Sequence, residues 1–312
     1  MENKRTKQLL IILAILSASF SGCKTQRSLQ NVSKHVLLNT SGWTIDTLRS
    51  DLIWYKYSPG SNGPFPNQHV NVLSFDTHSK TGKALAVYEP VKDSLSSIAA
   101  KHKPAIAGVN ATYFLENKDT INYMYLKLNG KEIQTVDIPA DNIYYWKHKG
   151  IFTYDRNFKN YKIDYYPSNP KQIKAENVLT GAPVLIHNYK PVGAKFADTT
   201  GLVLKNLHYE NPAKHQGVKH PRSAIALTEA GHLLLVTVDG RNKNALGMSA
   251  KDLTLFLKEF FNPMSAINID GGGSTTMWIN GQPCNGIVNY PTDNKKFDHF
   301  GQRKIETAIL IK

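Results

Sequence analysis

The chain has 312 residues, and its 41% hydrophobic and 20% charged content excludes a disordered protein and predicts a globular one with a substantial core. The formal net charge of +14 suits a protein that works beside anionic lipid or polyanionic glycan. Nucleic acid is not an expected partner, because the lysines are scattered singly and the sequence has no basic helix or nucleic-acid motif.

The first 22 residues have the pattern of a bacterial export signal. A basic stretch, residues 4–7, precedes an apolar run, residues 9–16, that is too short to span a bilayer. Residues 20–23, Phe-Ser-Gly-Cys, resemble a bacterial lipobox, although Phe stands where Leu is usual. We expect cleavage before Cys23 and lipidation of its thiol. The alternative is a free cysteine beside an ordinary signal-peptidase site.

Cleavage at this point divides the chain into three parts. Residues 1–22 are the signal peptide, residues 23–40 are the lipidated cysteine and a polar tether, and residues 41–312 are expected to form a single domain. The protein is then a membrane-anchored lipoprotein in the periplasm or at the cell surface. Once Cys23 is lipidated only Cys284 remains, so no intrachain disulfide can form and no thiolate zinc site is available.

The first half of the domain alternates strands with a helix. An apolar run that ends at Asn110 is followed by another strand and by Asn129-Gly130, a dipeptide typical of a tight hairpin. The next segment is rich in tyrosine, which suits half-buried sheet faces better than a platform for sugars. The predicted elements are strands at 52–57, 69–75, 84–88, 105–109 and 123–128, a helix at 93–102, and short strands within 142–166.

Two further segments have strand and turn signals. Residues 177–186 are predicted to be a turn that leads into a strand through Thr180-Gly181. Residues 223–227 and 232–238 flank a glycine-containing turn and predict a hairpin.

Three histidines, His208, His215 and His220, precede this hairpin. Their spacing is not that of a helical metal-binding pair. We therefore assign His208 and His215 to surface loops.

A strand–helix–strand unit near the C-terminus has the clearest signals. The strand at 233–238 closes on Asp239, and Ser249 is a plausible helix N-cap with an acidic residue three positions on. Apolar residues at i, i+3, i+4 and i+7 then predict an amphipathic helix, which an Asn-Pro pair ends. The second strand, residues 265–269, stops at Asp270 and three glycines.

Asp239 and Asp270 are expected to lie on one edge of a sheet, because the two strands of a βαβ unit run parallel. Ligands of open α/β sheets bind at that edge. A single Asp-Gly turn is usually structural. Two Asp-Gly turns on one edge indicate a binding site. One is followed by Arg241, and the other is followed by glycines that let backbone N–H groups approach a bound molecule.

The order strand, helix, strand, polar residue, strand, Asn-Gly occurs twice in the domain. In this weak internal repeat Asn110 corresponds to Asp270. Together these patterns predict a mixed α/β (α+β) fold, in which strand-rich mixed sheets carry a few helices and βαβ units, with an internal pseudo-repeat.

Five motifs follow one another along the chain: GVNATYF (108–114), LTGAPVLI (179–186), HPRSAIAL (220–227), VDGR (238–241) and INIDGGGSTTM (267–277). In this order they resemble the phosphodiester glycosidase family, over about residues 71–311. The DGGGS block with its upstream HPR and DGR is the most specific part. The resemblance implies a hydrolase that removes a sugar similar to N-acetylglucosamine from a sugar-1-phosphodiester, with phosphoglycans outside the cytoplasm as substrates.

The aspartates and arginines of these motifs suit that reaction. Cleavage of the anomeric C–O bond creates an oxocarbenium-like centre that needs a carboxylate or a carboxylate-activated water. Asp270 and Asp239 are the candidate nucleophile or base, in either order. The phosphate leaves as an anion, and Arg222 or Arg241 can supply a bidentate fork for its oxygens. His220 is a candidate proton donor.

The remaining candidates are expected to bind substrate. The glycine-rich loop 271–274 can form an anion nest from its backbone N–H groups. Polar side chains near it are candidates to hold sugar hydroxyls. The full set is Asn110, Thr180, Gly181, Asn268, Gly271, Gly272, Gly273, Ser274 and Thr275.

Two other functions remain open. A metal-dependent phosphodiesterase would cleave the P–O bond with paired aspartates around a divalent ion. A non-catalytic lipoprotein would bind a phosphoglycan and leave it intact. No cofactor is expected for the glycosidase reaction, and a divalent cation enters only with the phosphodiesterase alternative.

Overall fold

The computed structural model describes residues 42–114, 121–196 and 199–312. The export signal, Cys23 and the polar tether lie outside the described residues. Within them the chain forms sixteen strands and three α-helices, which confirms the predicted α+β class. In this part of the chain, none of the helices has the length and apolar character needed to cross a membrane.

The first half of the described chain is rich in strands, and the strand–helix–strand unit lies near the C-terminus. The strands are β1 (Trp43–Arg49), β2 (Leu52–Tyr57), β3 (Val70–Asp76), β4 (Ala84–Asp93), β5 (Ala107–Asn110), β6 (Leu126–Leu128), β7 (Lys131–Gln134), β8 (Gly150–Tyr154), β9 (Lys162–Tyr165), β10 (Asn177–Gly181), β11 (Val184–Ile186), β12 (Arg222–Leu227), β13 (His232–Val238), β14 (Ser265–Ile269), β15 (Met277–Ile279) and β16 (Ile305–Ile311). The helices are α1 (Leu95–Lys101), α2 (Pro212–Gly217) and α3 (Ala250–Phe260).

The largest sheet has seven strands in the order β1-β2-β3-β13-β12-β14-β11. The strands β13 and β14, which α3 connects, run in the same direction as predicted. They are not neighbours, because β12 lies between them and pairs antiparallel with both. Every pairing between named strands is antiparallel, so the expected mixed sheets are wrong in this respect.

The register of β12 brings the ends of its two neighbours together. Arg222 lies opposite Val238, and Ser223 lies opposite Ile269. Asp239 and Asp270 follow these two partners directly in the chain. The predicted shared edge is therefore confirmed, and the strand between the two is β12, which pairs with β13 as the predicted hairpin.

A second unit, β4–α1–β5, repeats this arrangement in the four-stranded sheet β15-β5-β16-β4. Here β16 separates β4 from β5 and pairs antiparallel with both. The two units meet at their polar ends, because Asn110 Nδ2 donates to the Asp270 carbonyl at 2.6 Å. The predicted correspondence of these two residues thus becomes a direct contact.

The two Asn-Gly dipeptides behave differently. Asn129 and Gly130 have φ values of 51° and 82° and join β6 to β7 as a hairpin, as predicted. After Asn280-Gly281 the chain makes a wider loop, and β15 gains only a single bridge to Ile287. The Gln282 N–H donates to the Ile279 carbonyl at 3.3 Å and closes a turn, but the 3₁₀ segment Cys284–Gly286 follows in place of a strand, so the expected hairpin is wrong there.

The third sheet has the order β7-β6-β10-β8-β9 and packs closely against the largest one. A Cβ on Gly181 would lie 2.6 Å from the Asn268 carbonyl oxygen, so only glycine fits this approach. The predicted turn at Thr180-Gly181 is wrong, because both residues end strand β10; the predicted strand after it is β11, which follows Ala182-Pro183. Apolar side chains of all three sheets form one core cluster, for example Phe152, Ile225 and Ile309.

The helix α3 forms as its sequence predicts. Ser249 Oγ accepts from the Asp252 N–H and the Asp252 carboxylate accepts from the Ser249 N–H, which completes a capping box. Phe256 and Phe260 are buried and pack on the ring of Tyr57 in β2. The helix is thereby fixed on the sheet, and its two flanking strands with it.

Candidate active site

A cavity of about 450 Å³ lies at the edge of the largest sheet, where β14 ends. Asp270 and the glycine-rich loop after it form part of its wall. The volume is within the usual range for a small-molecule site. The rest of the wall is aromatic and charged and comes from distant parts of the chain: Tyr113, Tyr123, Tyr144, Lys147, Glu210 and Arg303. We call this the Asp270 cavity.

The Asp270 carboxyl group is more basic than a free aspartate. Burial raises its pKa to about 6, while the Ser274 hydroxyl and the positive charges of Lys147 and Arg303 act in the opposite direction. The group is therefore ionised at neutral pH and still able to accept a proton. This combination suits a nucleophile or a general base.

Lys147 brings a buried positive charge to the cavity wall. Its Nζ lies 2.7 Å from Glu210 Oε2, and only 7% of its side chain is exposed. The ring centroids of Tyr113 and Tyr144 lie 4.9 and 5.0 Å from the same nitrogen. The ion pair and the aromatic faces together offset the cost of burying the charge. Glu210 is thus a second carboxylate of the cavity, held by a fixed partner.

Two arginines lie against the glycine-rich loop. A Cβ on Gly272 would lie 3.2 Å from Arg241 Nη2, and a Cβ on Gly273 would lie 2.6 Å from Arg303 Nη2. Any larger side chain at Gly273 would push Arg303 away. Arg241 has a φ of 61°, and its Nη1 donates to Thr292 Oγ1 at 3.2 Å. The glycines therefore give two guanidinium groups access to the cavity.

The same loop uses several of its backbone N–H groups internally, which corrects the predicted anion nest. The Gly272 N–H donates to the Pro221 carbonyl at 2.8 Å, and the Ser274 N–H donates to Gly271 at 3.2 Å. Gly271, Gly272 and Gly273 line the cavity, but the Ser274 and Thr275 side chains are buried. Positive charge at this site comes mainly from side chains, and Thr275 does not reach a ligand.

Asp239 shares the edge with Asp270 but faces the protein interior. It is fully buried, and its Oδ1 accepts hydrogen bonds from Asn289 Nδ2 and the Tyr290 N–H, both at 2.9 Å. Burial raises its pKa to about 7, against the effect of these two donors. Asp239 is not part of the wall of the Asp270 cavity, because the segment around Asn289 covers it, so the geometry favours Asp270 as the nucleophile or base.

Arg222 is also a scaffold residue and not a phosphate ligand. The side chain is fully buried, and its guanidinium donates to the carbonyls of His215, Val218 and Met248 at 2.9, 3.1 and 2.9 Å. A further donor bonds to Gln216 Oε1 at 2.9 Å. The carbonyls at the end of α2 need hydrogen-bond donors, and the Arg222 guanidinium supplies them, so the geometry does not favour the predicted phosphate role.

His208 is exposed in a loop as predicted, whereas His215 and His220 are buried. His215 lies in α2, not in a surface loop as predicted, and burial together with the Arg222 charge lowers its pKa to about 2. The pKa of His220 is also well below its usual value, through burial and the same arginine. Its Nδ1 lies 3.3 Å from the Tyr209 hydroxyl. A neutral, enclosed His220 does not serve as the predicted proton donor.

The polar residues expected to bind sugar mostly hold the sheets together. Asn110 bonds Asp270 and accepts from Ser223 Oγ at 2.8 Å, and Asn268 Nδ2 donates to the Tyr113 hydroxyl at 3.1 Å. All of these amides are buried. They position Asp270 and Tyr113 in the cavity wall and do not line it themselves.

Thr180 and Gly181 make no wall of the cavity either. Thr180 Oγ1 accepts from the Tyr125 N–H at 3.0 Å and donates to the Tyr125 carbonyl at 3.2 Å. Gly181 permits the close sheet packing described above. Both residues therefore belong to the junction between β10 and its neighbours.

The sequence model of the phosphodiester glycosidase family matches residues 103–312. The chain belongs to this family. Membership supports a glycosidase-type hydrolase, and the matched region contains the Asp270 cavity with its glycine-rich loop.

Two curated proteins are similar to shorter stretches of the chain. An SPbeta prophage-derived protein of Bacillus subtilis, YomE, is 34% identical over 109 residues, which are 30% of this chain and 17% of that protein. The mouse N-acetylglucosamine-1-phosphodiester alpha-N-acetylglucosaminidase is 28% identical over 100 residues, 32% of this chain and 18% of the mouse protein. The chain thus spans less than a fifth of the length of either relative.

Solved structures show the same fold. The catalytic domain of the zebrafish N-acetylglucosamine-1-phosphodiester alpha-N-acetylglucosaminidase, auto-inhibited by its pro-peptide, superposes with a TM-score of 0.57 at 16% identity and covers 86% of this chain and 87% of that one. A hypothetical protein from Synechocystis gives a TM-score of 0.57 at 12% identity and covers 86% of this chain and 63% of that one. The fold of the family is therefore shared at low identity.

Sequence reasoning missed several of the charged and aromatic residues of this cavity. Tyr113 lies in the GVNATYF motif, and Tyr144 and Lys147 lie in the tyrosine-rich segment, where packing was predicted. Tyr154 packs in the hydrophobic core as predicted, but Tyr144 lies in the cavity wall. Glu210 is a single acidic residue in a loop and carries no sequence signal of its own. Only its buried ion pair distinguishes it.

The described residues contain no group of three or more His, Cys, Asp or Glu side chains arranged to hold a metal ion. The cavity itself presents two carboxylates and three cationic side chains: Asp270, Glu210, Lys147, Arg241 and Arg303.

Proposed function

We propose that the protein removes a sugar from a sugar-1-phosphodiester by hydrolysis of the anomeric C–O bond. The observation that carries the proposal is the position of Asp270, a basic carboxylate in a cavity that also holds three cationic side chains. An oxocarbenium-like centre needs the carboxylate, and a departing phosphate needs the cations. One cavity supplies both.

Asp270 is the residue that acts at the anomeric carbon in this proposal. As a nucleophile it would form a glycosyl-enzyme, and as a base it would activate a water on the opposite face of the ring. The two routes give opposite anomeric configurations, so NMR of the first-formed sugar distinguishes them. Glu210 is paired with Lys147 and helps to fix the charge pattern around the reaction centre.

Arg241 is the arginine that binds the phosphate oxygens in this proposal; Arg222 was the other candidate named from the sequence. Its guanidinium lies over the glycine-rich loop next to Asp270, and its side chain is exposed to the cavity. Arg303 lies nearby, but its Nη2 is 2.6 Å from Asp293 Oδ1, so part of its charge is already compensated. A phosphate monoester is a good leaving group, and a cation is enough to assist its departure.

The sugar would occupy the aromatic part of the cavity. Tyr123 and Tyr144 are stacked with ring centroids 5.2 Å apart, and Asn142 lies in the same wall. Aromatic faces with a few amide groups suit a sugar ring. The names of the mouse and zebrafish relatives favour N-acetylglucosamine in the α configuration.

The proposal extends to the place of action. The export pattern before Cys23 supports a lipoprotein that is anchored to a membrane and hydrolyses phosphoglycans outside the cytoplasm. The net positive charge of the chain is consistent with anionic substrates and surfaces.

The test uses the methyl diester of N-acetylglucosamine-α-1-phosphate in ¹⁸O-labelled water, with and without EDTA. C–O cleavage gives free sugar and methyl phosphate without label in the phosphate. Asp270→Asn should abolish turnover, and Glu259→Gln, at an exposed carboxylate on α3 that is not in the cavity wall, serves as the control.

Other products would refute the proposal in specific ways. Label in the phosphate together with loss of activity in EDTA would identify a metal-dependent phosphodiesterase. Intact substrate after prolonged incubation, with binding measurable by calorimetry, would identify a glycan-binding protein without hydrolytic activity.

A further inference from the structure

Arg241 lines a second, smaller cavity as well as the Asp270 cavity. The second cavity has a volume of about 190 Å³. Its other wall residues come from the segment after β13 and from the loop before β16: Gly240, Asn242, Thr292, Lys295, Lys296 and Phe297. The volume is below the range of sites that hold a whole ligand, so this cavity suits one group of a larger molecule. We call it the Lys295 cavity.

The guanidinium of Arg241 connects the two cavities. Its Nη2 is the nitrogen closest to Gly272, which belongs to the wall of the Asp270 cavity. Its Nη1 donates to Thr292 Oγ1 at 3.2 Å, and Thr292 belongs to the wall of the Lys295 cavity. A phosphate bound to the Arg241 guanidinium therefore lies between the Asp270 cavity and the Lys295 cavity.

The Lys295 cavity is cationic. None of the described residues in its wall is acidic. The two aspartates of the same loop have other partners: Asp293 is paired with Arg303 at 2.6 Å, and Asp298 accepts from Asn294 Nδ2 at 2.8 Å. Lys295 and Lys296 are exposed, so their charges are available to a ligand.

We propose that the Lys295 cavity is a subsite for a second phosphate on the leaving side of the substrate. This inference rests on the proposed function. With the sugar against Asp270 and the scissile phosphodiester on Arg241, the leaving group continues away from the sugar, along the other side of the guanidinium. The cations there select a leaving group that carries another phosphate. The substrate class is then a sugar joined to a chain with repeated phosphate groups.

The experiment compares two substrates that differ only at the end of the leaving group. Both are N-acetylglucosamine-α-1-phosphoglycerol; one ends in a phosphate and the other in a neutral methyl ether. The measured quantity is the ratio of their kcat/KM values in the full-length protein. Two contacts at an exposed site should favour the phosphate-terminated substrate by roughly fivefold to tenfold. Added salt should reduce the ratio.

The test variant is Lys295→Gln combined with Lys296→Gln. Glutamine removes the charge, keeps an unbranched polar side chain and leaves the strain at Lys295, which has a φ of 59°, as it is. The ratio should fall to about one, because the charges are lost. The ratio is taken within one protein, so a general loss of folding or turnover cancels. Lys251→Gln, at an exposed lysine on α3, should keep the wild-type ratio.

Three results would overturn the subsite. One is equal turnover of both substrates by the wild-type protein. Another is a double variant that retains the wild-type ratio. The third is a similar fall of the ratio in Lys251→Gln, which would mean that only the overall charge matters. Absence of turnover of either substrate would overturn the hydrolase proposal, and the subsite with it.

Discussion

Replacement of Arg222 by Met should test whether this arginine supports the fold or the chemistry. Methionine is an unbranched side chain without a donor. The substitution therefore keeps part of the volume and removes all of the hydrogen bonds at once. Because Arg222 is fully buried, we expect an effect on the free energy of unfolding and a much smaller effect on the turnover of the remaining folded protein.

The magnitude follows from the acceptors that the variant leaves behind. Arg222 donates to four backbone carbonyls and to Gln216 Oε1, at distances between 2.9 and 3.4 Å. An unsatisfied buried acceptor costs about 1–3 kcal/mol, and losses within one network are not additive. We therefore expect a loss of about 3–5 kcal/mol. For a domain of this size the thermal midpoint should fall by roughly 10 °C.

Arg241→Met is the matched comparison. Arg241 is exposed and bonds to Thr292 Oγ1 at 3.2 Å and to the side chain of Tyr209, so its replacement should change the free energy of unfolding by about 1 kcal/mol. If it binds the phosphate, kcat/KM on the methyl phosphodiester should fall on the order of 100-fold to 1,000-fold. On an activated aryl glycoside without phosphate the fall should be small.

Urea unfolding and steady-state kinetics on both substrates complete the comparison. The reasoning fails if Arg222→Met unfolds with nearly wild-type free energy and loses turnover only on the phosphodiester. Such a result would return the phosphate role to Arg222. Equal loss on both substrates by Arg241→Met would mean that Arg241 supports the sugar or the loop.

Three further predictions concern single side chains. Asp270→Asn should lower kcat/KM at least on the order of 100-fold. The rate of the wild-type protein should rise with pH through about 6, where Asp270 loses its proton. A pH–rate profile that is flat across this range would contradict the role of Asp270. Burial raises the pKa of Asp239 from 3.8 to about 7, so the folded protein retains a proton that the unfolded chain releases, and stability should decrease as pH rises between these values. Urea unfolding at about pH 5 and about pH 8 should show this decrease, and Asp239→Asn should reduce it. Cys23→Ser should move the protein from the membrane fraction to the soluble fraction, because the several acyl chains of a lipoprotein anchor it firmly; immunoblots of the two fractions would show this, and unchanged membrane association would mean a different anchor.

The sequence by itself determined the local elements and the order in which they occur. The capping box at Ser249 and the apolar spacing of α3 depend on residues within a few helical turns of one another, so they can be predicted without knowledge of the tertiary structure. The same is true of the Asn129-Gly130 hairpin. Strand direction also follows from the chain, since a strand, a helix and a strand return the second strand in the direction of the first. The shared edge of Asp239 and Asp270 was predictable for this reason.

Which of two similar residues faces the cavity was not predictable. Asp239 and Asp270 each follow a strand and precede a glycine, yet the segment around Asn289 covers the first and leaves the second in the wall. Arg222 and Arg241 likewise stand in short motifs of the same kind. The carbonyls at the end of α2 enclose Arg222, whereas Arg241 lies in the wall of the Asp270 cavity and bonds to Thr292.

The charge pattern of the site was decided by the tertiary structure alone. Lys147, Glu210 and Arg303 come from segments that are far apart in the chain, and no spacing relates them to Asp270. Their effect depends on distances through space, such as the 2.7 Å between Lys147 and Glu210, and on the exclusion of water. The same exclusion of water raises the pKa of Asp270 to about 6. A sequence contains the side chains, but desolvation and proximity exist only once the sheets have packed.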